Sequence, residues 1–115
     1  MAATLSKSER LCGKKAIAEL IERGKGGSAG CLRYKFLSGT GVSRILVSVP
    51  KRFFKRAVKR NLLKRRIRES YRLQKDLLSV PVDIAFLYQA REVLPYDTVF
   101  AAMTEALKAI ASKTE

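Results

Sequence analysis

Apolar residues recur along this chain with two different periods, and the switches between them divide it into elements. Ile17, Leu20 and Ile21 fall at i, i+3 and i+4 among Lys14, Lys15, Glu19, Glu22 and Arg23, which predicts a short amphipathic helix after Gly13. Gly24 ends it in the manner of a C-terminal glycine. Residues 24–30, GKGGSAG, read as a flexible loop by composition. Residues 31–37 then take a period of two, with Leu32, Tyr34 and Phe36 on one face and Arg33 and Lys35 on the other, as in a half-buried strand. Residues 38–41 read as a turn and residues 44–49 as a second strand ending at Pro50, the two strands forming an antiparallel hairpin. Beyond a long basic stretch, Pro81 opens a third strand over residues 82–88. It is so apolar that a central, doubly covered position suits it. Pro95 precedes a last helix over about residues 97–111, capped by Asp97 or Thr98, with Val99, Phe100, Met103, Leu107 and Ile110 as its stripe. Residues 1–12 are expected as a loosely ordered lead-in and residues 112–115 as a tail.

The order is helix, strands, basic helix, strand, helix. It predicts an α+β fold, a single-sheet α/β sandwich. At 115 residues and 47% apolar composition, residues 1–115 are expected to form one domain. Residues 24–29 also fit the loose dinucleotide pattern G-x-G-x-x-A, but they follow a helix where that pattern must follow a strand, so the loop reading stands.

Composition removes several chemistries. The chain has no His, which excludes Ser-His-Asp and Cys-His nucleophile systems and His metal ligands. Cys12 and Cys31 lack the paired C-x-x-C spacing of zinc sites. Residues 1–10 are polar and lack an apolar h-region, so the expectation is a cytoplasmic protein with both thiols reduced. No apolar stretch approaches the ~20 residues of a membrane span.

Charge changes the picture most. Lys and Arg number 24 against 10 acids, a net charge of +14 with a pI near 10.3. Residues 51–72 hold 11 of those bases and a single acid, Glu69, while the rest of the chain is nearly balanced. On a helical wheel Leu63, Ile67, Tyr71 and Leu78 face the sheet. A second stripe holds Asn61, Lys64, Arg65, Arg68 and Arg72 at i, i+3, i+4, i+7 and i+11. Like charges at i, i+4 cost an isolated helix ~0.2–0.5 kcal/mol per pair. Phosphates would compensate, because guanidinium forks match their oxygens and neutralised phosphates release counterions. A merely solvated face mixes Glu with Lys, so the stripe points to nucleic acid, with RNA and DNA not separated. Asn61, near a helix start, fits either a cap or a nucleic-acid contact.

The segments RILVSVPKR (residues 44–52) and AVKRNLLKRRIRE (residues 57–69) resemble the signature of the bacterial ribonuclease P protein component, which carries an Arg-Asn-Arg motif within A-V-x-R-N-R-x-K-R-x-x-R-E. Arg10 and Leu11 before the first helix, Gly24 after it, and DIAFLY (residues 83–88) extend the likeness over most of the chain. Leu62 replaces the motif's second Arg, Ile17 and Ile21 stand where many members place Phe, and Phe53-Phe54-Lys55-Arg56 lacks a glycine common there. The resemblance implies a protein subunit whose partner, a catalytic RNA, uses magnesium to cleave precursor tRNA at the 5′ end of the mature sequence. The protein itself would hold no cofactor and no catalytic residue.

In such a subunit Arg60, Asn61, Lys64, Arg65 and Arg68 would bind the RNA subunit, with Lys51, Arg52, Lys55 and Arg56 contributing. A cleft over the sheet would take the 5′ leader, with Ile17, Arg33, Tyr34, Lys35 and Phe36 as candidates. Tyr34 and Phe36 remain open between cleft and core, since single-strand binders use aromatic platforms. A left-handed βαβ crossover around the basic helix is likewise implied by resemblance alone. The alternative function is an RNA-binding protein of the ribosome-assembly type. A DNA-compacting protein would spread its charge, and a self-sufficient metal nuclease would cluster its Asp and Glu, which are scattered here.

Overall fold

A computed structural model describes residues 14–38, 43–78 and 80–114. The expectations for residues 1–12 (Cys12 included), for residues 39–41 of the turn and for residue 115 lie outside the described residues. Helix α1 (Lys14–Arg23) is followed by strands β1 (Lys25–Ala29), β2 (Leu32–Ser38) and β3 (Arg44–Ser48). Then come helix α2 (Ala57–Gln74), a short 3-10 turn (Lys75–Leu77), strand β4 (Val82–Tyr88) and helix α3 (Tyr96–Thr114).

The strands form one mixed sheet in the order β1-β2-β4-β3. β4 pairs with β2 antiparallel and with β3 parallel, so the expected hairpin between residues 31–37 and 44–49 is not formed. The reason is apolar content: Val82, Ile84, Phe86 and Tyr88 are essentially fully buried and take the centre, while β3 is left at the edge. Parallel neighbours need a long crossover, and α2 supplies it. The glycine-rich segment is also not a loop. Residues 25–29 pair with β2 along their whole length as an edge strand, closed by Gly30 and Cys31. Among the described residues positive φ is confined to Gly30, at 54°, the first position of this two-residue turn.

Helices α2 and α3 pack against each other, α3 over β1 and β2 and α2 against β3. Between them and the sheet lies the core: Leu63, Ile67 and Tyr71 from α2, Met103, Leu107 and Ile110 from α3, and the inward residues of each strand. The stripe expected of α3 is extended by Ala102 and Ala106, whose small side chains let the layers approach, while Phe100 is only half-buried. The carbonyl of Pro95, rather than Asp97 or Thr98, receives the first amides of α3, from Thr98 at 3.1 Å and Val99 at 3.2 Å. A polar latch joins the two helices, with Gln74 donating to the carbonyls of Ser70 (3.3 Å) and Phe100 (3.1 Å) and accepting from Thr104. Because α2 ends at Gln74, Leu78 lies beyond it and packs at the core margin.

β4 is central but not doubly covered. Helix α1 lies on the sheet face opposite α2 and α3, and its ten residues span only ~15 Å. Leu87 therefore remains 37% exposed.

Candidate nucleic-acid interface

The charged stripe of α2 turns away from the core as its spacing requires. Leu63, Ile67, Ser70, Tyr71 and Gln74 are buried, whereas Asn61, Arg65 and Arg72 are exposed and Lys64 and Arg68 half-exposed. The one acid within α2, Glu69, accepts from Arg72 at 2.9 Å. Asn61 is the fifth residue of α2, so it cannot cap that helix; the helix starts one turn earlier than a capping Asn61 would need. Asn61 is exposed on the outward side of the helix.

Two arginines of the basic segment face the protein. Arg60 donates to the carbonyls of Phe54 (2.7 Å) and Lys55 (2.9 Å), pinning the chain that leads into α2. Arg66 donates to the carbonyl of Leu94 and fixes the connection between β4 and α3. Arg60 thereby holds Lys55 and Arg56 in place at the head of the helix. Lys51, Arg52, Lys55 and Arg56 are all exposed. Phe54 anchors this loop from below, 4% exposed and edge-on to Tyr88 at 5.7 Å. A hollow of about 460 Å³ opens there, lined by Arg52, Phe53, Lys55, Arg56, Lys59 and Arg91 among others. Lys59 and Arg91 escaped the sequence reading. Lys59 sits inside the basic segment off the stripe, and nothing in the local pattern marks Arg91.

The second region is the open sheet face. A groove of about 520 Å³ runs between α1 and the strands, lined by Ile21, Arg33, Lys35, Leu46, Ser48 and Leu87, with the largely buried Tyr34 and Phe86 also contributing to its lining. Lys35 donates to the carbonyl of Ile21, tying the C-terminal end of α1 to the sheet, where a cation is favoured by the helix dipole. Of the expected cleft residues, Arg33, Tyr34 and Lys35 line this groove, Tyr34 with only 5% of its surface exposed. Ile17 is half-buried on α1 and does not line it; Ile21, 57% exposed, does.

Tyr34 and Phe36 belong to the core, 5% and 3% exposed, paired across the sheet with Phe86 and Ile84. The Tyr34 ring lies over Gly27, where a Cβ would come within 2.4 Å of its hydroxyl oxygen. Strand parity is the physical reason: neighbours of Arg33 and Lys35 must point to the other face. Leu46, Ser48 and Leu87 could be placed in the groove only once the β3–β4 register was known.

Carboxylates give little to a metal. Asp83 is 2% exposed and held by Arg44 through Nε at 3.0 Å and a second nitrogen at 2.7 Å. Among the described residues no three His, Cys, Asp or Glu stand together to hold an ion. These residues do not fit a protein-held divalent cation. Burial pushes the Cys31 thiol up from its ordinary range, which keeps it protonated and unreactive near neutrality. Among the described residues no helix is long and apolar enough to cross a membrane.

A single mixed sheet, two helices behind it, a groove under a short helix in front, and a dense cationic flank define a small α+β protein with a surface suited to polyanions. The family described as Ribonuclease P matches residues 5–111. The ribonuclease P protein component of Porphyromonas gingivalis is 40% identical over 93% of this chain and 86% of its own length. That of Chlorobaculum tepidum is 33% identical over 76% of this chain and 68% of its own length. Among solved structures, the RNase P protein of Thermotoga maritima superposes with a TM-score of 0.77 at 25% identity, covering 88% of this chain and 96% of that one. The Staphylococcus aureus RNase P protein gives 0.78 at 20% identity, covering 90% and 96%, a likeness of fold. The chain belongs to the ribonuclease P protein family.

Proposed function

We propose that this chain is the cytoplasmic protein subunit of a ribonuclease P ribonucleoprotein, which removes the 5′ leader from precursor tRNA. In this reading the outward face of α2 and the loop before it, through Lys51, Arg52, Lys55, Arg56, Asn61, Lys64, Arg65 and Arg68, contact the RNA subunit. Arg60 contributes by holding that loop. The groove beneath α1 takes the single-stranded leader, with Arg33 and Lys35 toward its phosphates and Leu46, Leu87 and Ile21 as apolar wall. Hydrolysis is left to the RNA subunit and its magnesium ions, since the protein's carboxylates are scattered or held by arginine.

The observation that carries the reading is the outward side of α2: Arg60 and Arg66 turn to backbone carbonyls, the other five of its seven bases, Lys59, Lys64, Arg65, Arg68 and Arg72, are exposed or half-exposed, and its one acid is already engaged by Arg72. Such a surface repels itself unless phosphates neutralise it. The test is reconstitution. At low magnesium, adding the chain to a bacterial ribonuclease P RNA should raise the rate of precursor tRNA cleavage, while the chain with magnesium alone should cleave nothing. No stimulation, or cleavage without the RNA subunit, would defeat the proposal.

A further inference from the structure

We infer that the hollow at the head of α2 is a distinct seat for an RNA backbone phosphate, with Arg91 as a binding residue supplied from outside the motif helix. The inference rests on the RNA-binding reading above and adds to it a residue and a place. Three stretches of chain converge there: the loop carrying Arg52, Phe53, Lys55 and Arg56, the first turn of α2 with Lys59, and the β4–α3 connection with Arg91. Five bases stand around the hollow against one acid, Glu92.

Arg91 is not on a loose loop. The Tyr88 hydroxyl donates to the carbonyl of Glu92 at 2.5 Å and accepts from the amide of Leu94 at 3.1 Å, and Arg66 donates to the carbonyl of Leu94. The guanidinium carbons of Arg52 and Arg91 lie over the same ring, 4.8 Å and 4.9 Å from the centroid of Phe53. That ring keeps two like charges within about one Debye length, ~10 Å at 0.1 M salt. A cation pair gathered by an aromatic ring and left facing a hollow is unfavourable alone and favourable around an anion. The residue before α2, Arg56, has no side-chain oxygen, so the first amides of the helix find no side-chain acceptor. Phosphate oxygens fit what is presented: guanidinium forks, ammonium groups and no competing carboxylate but one. Lys59, in the first turn of α2, lines the hollow, which makes it continuous with the basic helix.

Free inorganic phosphate presents the same oxygens, so the experiment has two arms on the full chain. In the first, affinity for a bacterial ribonuclease P RNA is measured at 0.1 M salt for the parent, Arg91→Gln, Arg91→Lys and, as reference, Arg65→Ala. Arg91→Gln should weaken binding roughly 5- to 8-fold, the counterion-release worth of one phosphate at a slope of ~0.7–0.9, and Arg91→Lys should restore most of it. In the second, inorganic phosphate is titrated while backbone amide resonances are followed. Those of residues 55–59 and 91 should shift in the parent and not in Arg91→Gln.

Parent-like RNA affinity in Arg91→Gln, with Arg65→Ala weakened, overturns the inference and leaves the RNA-binding reading intact. Phosphate shifts without an RNA defect mean a small-anion site and overturn it equally. A parent chain that binds no RNA defeats the broader reading instead. Unchanged thermal melts separate these outcomes from misfolding, and the retained charge of Arg91→Lys supplies a second check.

Discussion

Helices α2 and α3 are nearly equal in length, 18 and 19 residues, and pack side by side on the same face of one sheet, yet they differ in what they turn outward. Helix α3 carries two acids and two bases and buries Val99, Ala102, Met103, Ala106, Leu107 and Ile110. Helix α2 carries seven bases and one acid, and its buried side includes the polar Ser70 and Gln74. One is a packing element whose outer face is neutral. The other turns outward a cationic surface whose like charges at i, i+4 cost the helix stability, and which the proposed function assigns to RNA. The difference separates residues that keep the fold from residues that the proposed function needs.

The largest effects should fall on the packing side of that divide. Tyr34→Ala should cost about 3–5 kcal/mol and Leu107→Ala about 2–5 kcal/mol of unfolding free energy in urea melts. Arg65→Ala should stay within about 0.5 kcal/mol. Similar losses for all three would erase the distinction between the helices.

The same contrast runs through β2, whose residues alternate between core and groove. Arg33→Ala should weaken binding of leader-bearing precursor tRNA by roughly 5- to 8-fold, one phosphate's worth, and leave mature tRNA and thermal stability unchanged. A leader-specific defect in Tyr34→Ala with little loss of stability would reverse the assignment of the two faces.

A smaller, collective effect concerns alkali. Burial raises Cys31, Tyr34, Tyr88 and Tyr96 above their ordinary values of 9.0 for the thiol and 10.0 for the phenols. Raised folded-state values mean that the unfolded chain loses these protons first, so their contribution is complete below about pH 9 and declines as pH rises. Denaturant midpoints measured from pH 8 to pH 11 should fall. A flat or rising trend would show these groups to be no more buried than in the unfolded chain.

Much of this was legible in the sequence because period reports burial. The spacing of α1, the alternation of β2, the apolar run of β4 and the charged stripe of α2 each carry their own signal, and each element stands where that signal put it. What was hidden depends on pairing. Residues 25–29 look like a loop because glycine weakens a strand pattern, but paired to β2 they form an edge, with Gly27 making room for Tyr34. The sheet order could not be read because β4 inserts between two strands that precede it in sequence. The groove was half visible for the same reason: Arg33 and Lys35 follow from parity within β2, whereas Leu46 and Leu87 need the β3–β4 register. Arg91 joins the basic loop through tertiary packing, over the Phe53 ring and around the same hollow, and no local pattern marks it.

The central claim is that α2 meets RNA by neutralising phosphates, and salt tests it most directly. Affinity for a bacterial ribonuclease P RNA, measured across a salt series, should fall with a log–log slope near −4 to −7 for roughly six to eight phosphates at ~0.7–0.9 each, and Arg65→Ala and Arg68→Ala should each flatten it by about one phosphate. An affinity nearly independent of salt, or a slope untouched by both substitutions, would contradict the account.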